Sequence, residues 1–157
     1  MQALVQLQDG HAAAFDGPTV GNLTELVALR RVPIPYPGPG QLLVKVAMSP
    51  VNPSDLLFVQ GNYGQLRIRG AAAGFEGTGT IVATGGTSVL LGRRVSFLAS
   101  GSGAWAEYAL TDPASCVAVA DGLRDDDAAA LLVNPFTAVA MIDLAAEAGA
   151  RAVMLTA

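Results

Sequence analysis

The chain has 157 residues, 52% of them apolar and 14% charged, with a net charge of -4, which supports an ordinary folded domain and excludes a disordered chain. Lys45 is the one lysine and the arginines are scattered from Arg30 to Arg151, so no basic stripe exists to bind nucleic acid. A single cysteine, Cys116, excludes an internal disulfide and any multi-cysteine zinc lobe; without a basic, apolar leader or a bilayer-length run, the chain reads as soluble and cytoplasmic, with no membrane partner.

Ala3 to Leu7 alternates as a first strand, closed by a turn at Asp9 and Gly10, and Leu23 to Arg30 reads as a second. Pro33, Pro35, Pro37 and Pro39 then forbid helix or central strand, which predicts an extended surface connection. Gln41 to Ser49 is the next strand. Asn52-Pro53-Ser54-Asp55 opens a short helix that ends at Gly61. Gly74 to Val82 and Arg93 to Leu98 are predicted strands with the Gly85-Gly86 turn between them, and Trp105 to Leu110 alternates again. At Asp125 the texture changes: three aspartates start an alanine-rich helix reaching Leu132, and after Asn134-Pro135 a second helix runs from Phe136 to Ala148, capped by Gly149. Arg151 to Thr156 reads as a buried strand. Domains are expected at 1–123, a β-rich barrel or sandwich, and 124–157, two helices and a strand.

Most motif matches yield to plainer readings. Gly101-Ser102-Gly103-Ala104-Trp105-Ala106 fits a loose dinucleotide pattern, but alternation rather than a helix follows, so it reads as a turn. His11 and Cys116 lack zinc-ligand spacing, and Cys116 lies in an apolar stretch that favours an inert thiol.

VNPSDLLFVQGNYG from Val51 to Gly64, Gly74-Phe75-Glu76-Gly77, and LLVNPFTA from Leu131 to Ala138 demand more. With these segments the chain resembles the medium-chain dehydrogenase/reductase superfamily, in its zinc-independent branch of quinone oxidoreductases and 2-enoyl thioester reductases. The resemblance implies a mainly β fold with some α: a GroES-like, partly open β-barrel, then two helices and the first strand of an incomplete Rossmann domain. It further implies that the chain stops as the nucleotide-binding domain begins and is inactive alone. The strand at Arg151 to Thr156 would then be disordered, swapped or paired with another copy in a homo-dimer.

In the zinc-dependent relatives a cysteine, a histidine and a cysteine stand where this chain has Asn52, Phe75 and Asn134. The resemblance therefore implies chemistry without zinc, with NADPH as cofactor and a small-molecule substrate. It assigns Tyr63 as proton donor to an enolate, with Asn52 as a second catalytic group. Asn134 and Thr137 fall beside the cofactor, and Asp55 and Glu76 support the loops around the substrate. The leading expectation is an NADPH-dependent reductase of the activated double bond of a 2-enoyl thioester. A quinone or enone reductase is the near alternative, and a non-catalytic barrel used for assembly or interaction is the alternative of another class. Arg69 to Ala73, where relatives often carry proline, and Gly92-Arg93-Arg94 depart from the pattern and leave the substrate open.

Overall fold

The computed structural model describes residues 1–12 and 21–155. Strand β1 (Gln2–Gln6) pairs antiparallel with β2 (Val27–Arg31), from Gln2 opposite Arg31 to Gln6 opposite Val27. The remaining strands are β3 (Leu42–Met48), β4 (Glu76–Thr84), β5 (Arg94–Leu98), β6 (Tyr108–Thr111) and β7 (Cys116–Ala118). They form one antiparallel sheet in the order β6-β3-β4-β5-β7. The two sheets are stitched rather than closed into one barrel: Ala3 bridges Ala106 and Val5 bridges Ala72. This is the mainly β, partly open architecture that the family resemblance implies; the strand pattern alone leaves barrel and sandwich open.

The inward positions of the larger sheet make the core. Leu42, Val44, Ile81, Val95, Phe97, Ala104 and Ala109 pack together, and removing a buried ring such as Phe97 would cost ~3–5 kcal/mol. Gly79 lets β3 lie against β4: a Cβ there would stand 2.2 Å from the Lys45 carbonyl oxygen. Two register shifts bend this pair, between Leu43 and Val44 and between Val46 and Met48.

Helix α1 (Pro53–Gln60) follows β3, and α2 (Asp125–Ala129) and α3 (Val133–Glu147) follow β7. Ala128 and Ala129 bury α2 against the sheet, and the Ser96 hydroxyl donates to the Ala128 carbonyl at 2.7 Å, satisfying an end group of the helix. Arg94 binds Asp125 at 3.1 Å, so the acidic start of α2 is tied to β5.

At four places the structure departs from the sequence reading. The strand predicted over Trp105 to Leu110 begins only at Tyr108, because Trp105 and Ala106 turn to meet β1. Strand β7 is three residues long, too short for alternation to announce. Helix α3 begins at Val133 and runs through Pro135, since a proline in the first turn forfeits only an N–H that has no helical partner. Residues 151–155 form no strand and are exposed; a strand needs a neighbour, and none reaches them among the described residues. The end of that expected strand, Thr156, lies outside the described residues.

Candidate functional site

The site grows from the two ends of α1. At its start, Asp55 is almost fully buried and uses both carboxylate oxygens: Oδ2 accepts the Asn52 backbone N–H at 2.8 Å and Oδ1 accepts that of Phe75 at 2.8 Å. A single side chain thereby fixes the helix entry and the residue before β4. Burial pushes the Asp55 carboxyl above its ordinary value; the two N–H groups pull it back in part, and the nearby Glu76 charge adds to the rise.

Glu76, 1% exposed, is the hub. Its Oε1 accepts from Asn52 Nδ2 at 2.8 Å, and its Oε2 accepts the backbone N–H groups of Leu132 at 3.1 Å and Val133 at 3.0 Å. Those are unpaired donors at the start of α3, where a negative charge is favoured. Asn134 Nδ2 donates to Asn52 Oδ1 at 3.1 Å, extending the chain of bonds to the surface. Asp55 and Glu76 thus tie the loops and helix starts together by hydrogen bonds.

At the other end of α1, Gly61 takes the left-handed conformation, φ 85°, that ends the helix and releases the Gly61-Asn62-Tyr63-Gly64 loop. Arg67 anchors the far side of this loop. Its buried guanidinium donates to the Gly10 carbonyl at 2.9 Å, to Gln8 Oε1 at 3.0 Å and to the Val59 carbonyl at 3.2 Å. Between these fixed points the Tyr63 ring lies 5.3 Å from that of Phe75, which lies 5.0 Å from that of Phe58. Tyr63 is 39% exposed, and its hydroxyl has no partner among the described residues.

A groove of about 330 Å³ opens beside this aromatic row, lined by Tyr63, Phe75, Ser54, Ser100, Ser115 and Val133, among others. Of the six residues nominated from the sequence, Tyr63 alone lines it. Asn52 is 4% exposed with both ends of its amide engaged, so it connects Glu76 to Asn134 and does not reach the groove surface. Asn134 and Thr137 lie exposed on the first turns of α3. Ser54, Ser100, Ser115 and Val133 were missed. Ser54 and Val133 are close to the nominated Asn52 and Asn134, whereas Ser100 and Ser115 come from segments that only the folded topology brings to the groove.

The three positions that correspond to the ligands of the zinc-dependent relatives do not suit zinc. Two are amides hydrogen-bonded to one another through Asn134 and Asn52, and the third is a phenyl ring packed between two others; none offers a thiolate, imidazole or carboxylate. Toward NADPH the fit is partial. Asn134 keeps its Oδ1 free of the Asn52 contact, and the Thr137 hydroxyl donates to the Val133 carbonyl at 2.6 Å, leaving its oxygen to accept. These groups suit an amide or a ribose. The Gly101 to Ala106 turn leads into β6 rather than a helix, so it forms no pyrophosphate cradle. Cys116 is half-buried, and burial, then the Asp112 charge, pushes its thiol above the ordinary value, as suits an unreactive sulfur.

The mitochondrial enoyl-[acyl-carrier-protein] reductase of Bos taurus is 35% identical over 124 residues, 78% of this chain and 33% of that protein. A Mesorhizobium loti protein described as an NADPH:quinone reductase superposes with a TM-score of 0.90 at 42% identity, over 95% of this chain and 45% of that one. A mycobacterial protein solved with NADPH superposes with a TM-score of 0.73 at 27% identity, over 90% of this chain and 39% of that one. The chain spans about a third of the length of the curated relatives it matches. Residues 38–121, more than half of the sequence, match the alcohol dehydrogenase GroES-like domain. Together with the two stitched sheets and the helices that follow them, this match makes the chain a member of the alcohol dehydrogenase GroES-like domain family, within the medium-chain dehydrogenase/reductases.

Proposed function

We propose that this chain supplies the substrate side of a zinc-free, NADPH-dependent reductase acting on the activated carbon-carbon double bond of a 2-enoyl thioester. The observation that carries the reading is Tyr63: a phenol on a fixed loop that lines the groove and has no hydrogen-bond partner among the described residues, in a chain whose counterparts of the zinc-ligand positions are two amides and a phenyl ring. The enoyl reductase and NADPH-bound relatives support the reaction class and the cofactor.

When bound, NADPH supplies the hydride. As a new C–H bond forms at the β-carbon, the alkene electron pair moves toward the thioester carbonyl and gives an enolate. In this reading the hydroxyls of Ser54 and Ser100, both from residues lining the groove, donate to that oxygen. Tyr63 passes its phenolic proton to the α-carbon, which completes the saturated thioester, and recovers a proton from water at its exposed edge. Phe75 and Val133 furnish the apolar wall that strengthens these interactions by excluding solvent.

A quinone substrate is the second reading, favoured by the name of the Mesorhizobium loti relative. A chimera in which this chain replaces the matching part of that protein separates the two. The expected result is NADPH-dependent reduction of crotonyl thioester at a kcat/KM at least ~10-fold above that for benzoquinone, a difference of about 1.4 kcal/mol in transition-state binding. Turnover of benzoquinone alone would overturn the thioester reading.

A further inference from the structure

A second cavity, about 270 Å³, adjoins the Tyr63 groove, and Gln65, Phe75 and Ala99 line both. Each alone is at or below the small end of ligand sites, ~300–1,000 Å³, whereas the two joined past Phe75 fall within that range. Its walls are largely apolar, from Phe58, Leu66, Ile68 and Ala72, with two polar side chains of note besides Gln65. One is Ser102, whose Oγ accepts the Leu110 N–H at 2.7 Å and keeps its proton to donate. The other is Gln6, at the end of β1.

Gln6 is 3% exposed, yet its side chain makes no hydrogen bond among the described residues and its Oε1 is buried without a partner. Its backbone is fixed on both sides, donating to Ala71 and accepting from Gly70, each at 2.9 Å. A buried amide with unused donors and acceptors destabilises the fold unless something else occupies it. Leucine would fill the same position without that cost, so the amide calls for a ligand. The reacting groove next to it does not use this group.

Resting on the thioester reading of the groove, we infer that the second cavity is a tail subsite, in which Gln6 reads a hydroxyl or other hydrogen-bonding group on the acyl chain remote from the double bond. Phe75 is the wall that the chain passes, and the Tyr63 groove keeps the reacting end. The preferred substrates are then medium-length acyl thioesters carrying a polar tail group.

The test titrates the 157-residue protein with N-acetylcysteamine thioesters of crotonate, trans-2-octenoate and its omega-hydroxy derivative, followed by amide NMR shifts and calorimetry. The expected result is that all three shift the Tyr63 amide, that only the two longer chains shift Ala72 and Gly103, and that the omega-hydroxy compound binds about tenfold more tightly than octenoate, one well-placed hydrogen bond. Gln6→Leu, an apolar replacement of similar size, erases that preference and retains octenoate binding. Ile68→Trp, at an exposed position on the rim, weakens both long thioesters and leaves crotonate unchanged. Equal affinities for the two octenoates, or a preference that survives Gln6→Leu, overturns the tail subsite while the groove reading stands. A Tyr63 amide unmoved by crotonate overturns the groove reading itself, and the tail subsite with it.

Discussion

Glu76 holds together elements that are far apart in sequence, and replacing it measures how much the site depends on one carboxylate. Glu76→Met keeps the length of the side chain but strands three donors, two buried and one half-buried: Asn52 Nδ2 and the backbone N–H groups of Leu132 and Val133. At ~1–3 kcal/mol for each orphaned group, with imperfect additivity, the expected loss is about 3–6 kcal/mol. A domain of this size has only ~5–15 kcal/mol to lose, so this variant is near the edge of folding. Glu76→Gln is milder. Its carbonyl can face the two backbone donors while its NH2 meets Asn52, provided the Asn52 and Asn134 amides both turn over and reverse their shared bond. What remains is the difference between charged and neutral hydrogen bonds at a helix start, about 1–2 kcal/mol. Urea unfolding followed by Trp105 fluorescence, with hydrogen exchange at Leu132 and Val133, reads both effects. Equal stability of the two variants within ~0.5 kcal/mol, or unchanged protection of those two amides in Glu76→Met, would refute the reasoning.

Asp55 gives a signature in pH. Its folded carboxyl titrates above the ordinary 3.8, so the folded state holds the proton more tightly than the unfolded one. Its contribution is full below 3.8 and declines as pH rises through the raised folded value. Subtracting the unfolding free energy of Asp55→Asn from that of the parent across pH 3 to 8 should leave this falling step; a flat or rising difference contradicts the burial argument. Gly79→Ala is expected to cost ~1–3 kcal/mol, because its methyl would meet the Lys45 carbonyl and force β3 and β4 apart. Gly86→Ala, with no atom within 4 Å of the new methyl, is the control and should stay within ~0.5 kcal/mol by thermal or urea melting.

Local patterns carried much of the fold. Alternation marked β1 through β5, and Asn52-Pro53 with Gly61 bracketed α1 closely, because caps and alternation are read within a few neighbouring residues. Where partners are distant the reading faltered. Residues 116–118 became a strand because β5 lay alongside, and residues 151–155 did not because no strand lies alongside them among the described residues. Trp105 left its apparent strand to donate its Nε1 proton to the Pro50 carbonyl at 2.9 Å, a contact spanning the whole α1 region.

The site divides in the same way. Tyr63 and Asp55 were nominated through the family resemblance; the glycine-flanked loop alone reads equally as a turn. Asn52 was nominated for the substrate because an amide at that position can donate. Its burial and its bonds to Glu76 and Asn134 depend on contacts across 24 and 82 residues that no local pattern encodes. Gln6 drew no notice as one polar position on an alternating strand; only the cavity beside it gives its amide meaning.

The central claim is that the Tyr63 hydroxyl donates the proton that completes reduction. Tyr63→Phe in the chimera, assayed with NADPH and crotonyl thioester in H2O and D2O, addresses it directly. The account predicts a fall in kcat of ~10²–10⁴, with KM changed by less than ~3-fold and the solvent isotope effect altered. An unchanged kcat with the same isotope effect would show that the proton comes from elsewhere and would contradict the account.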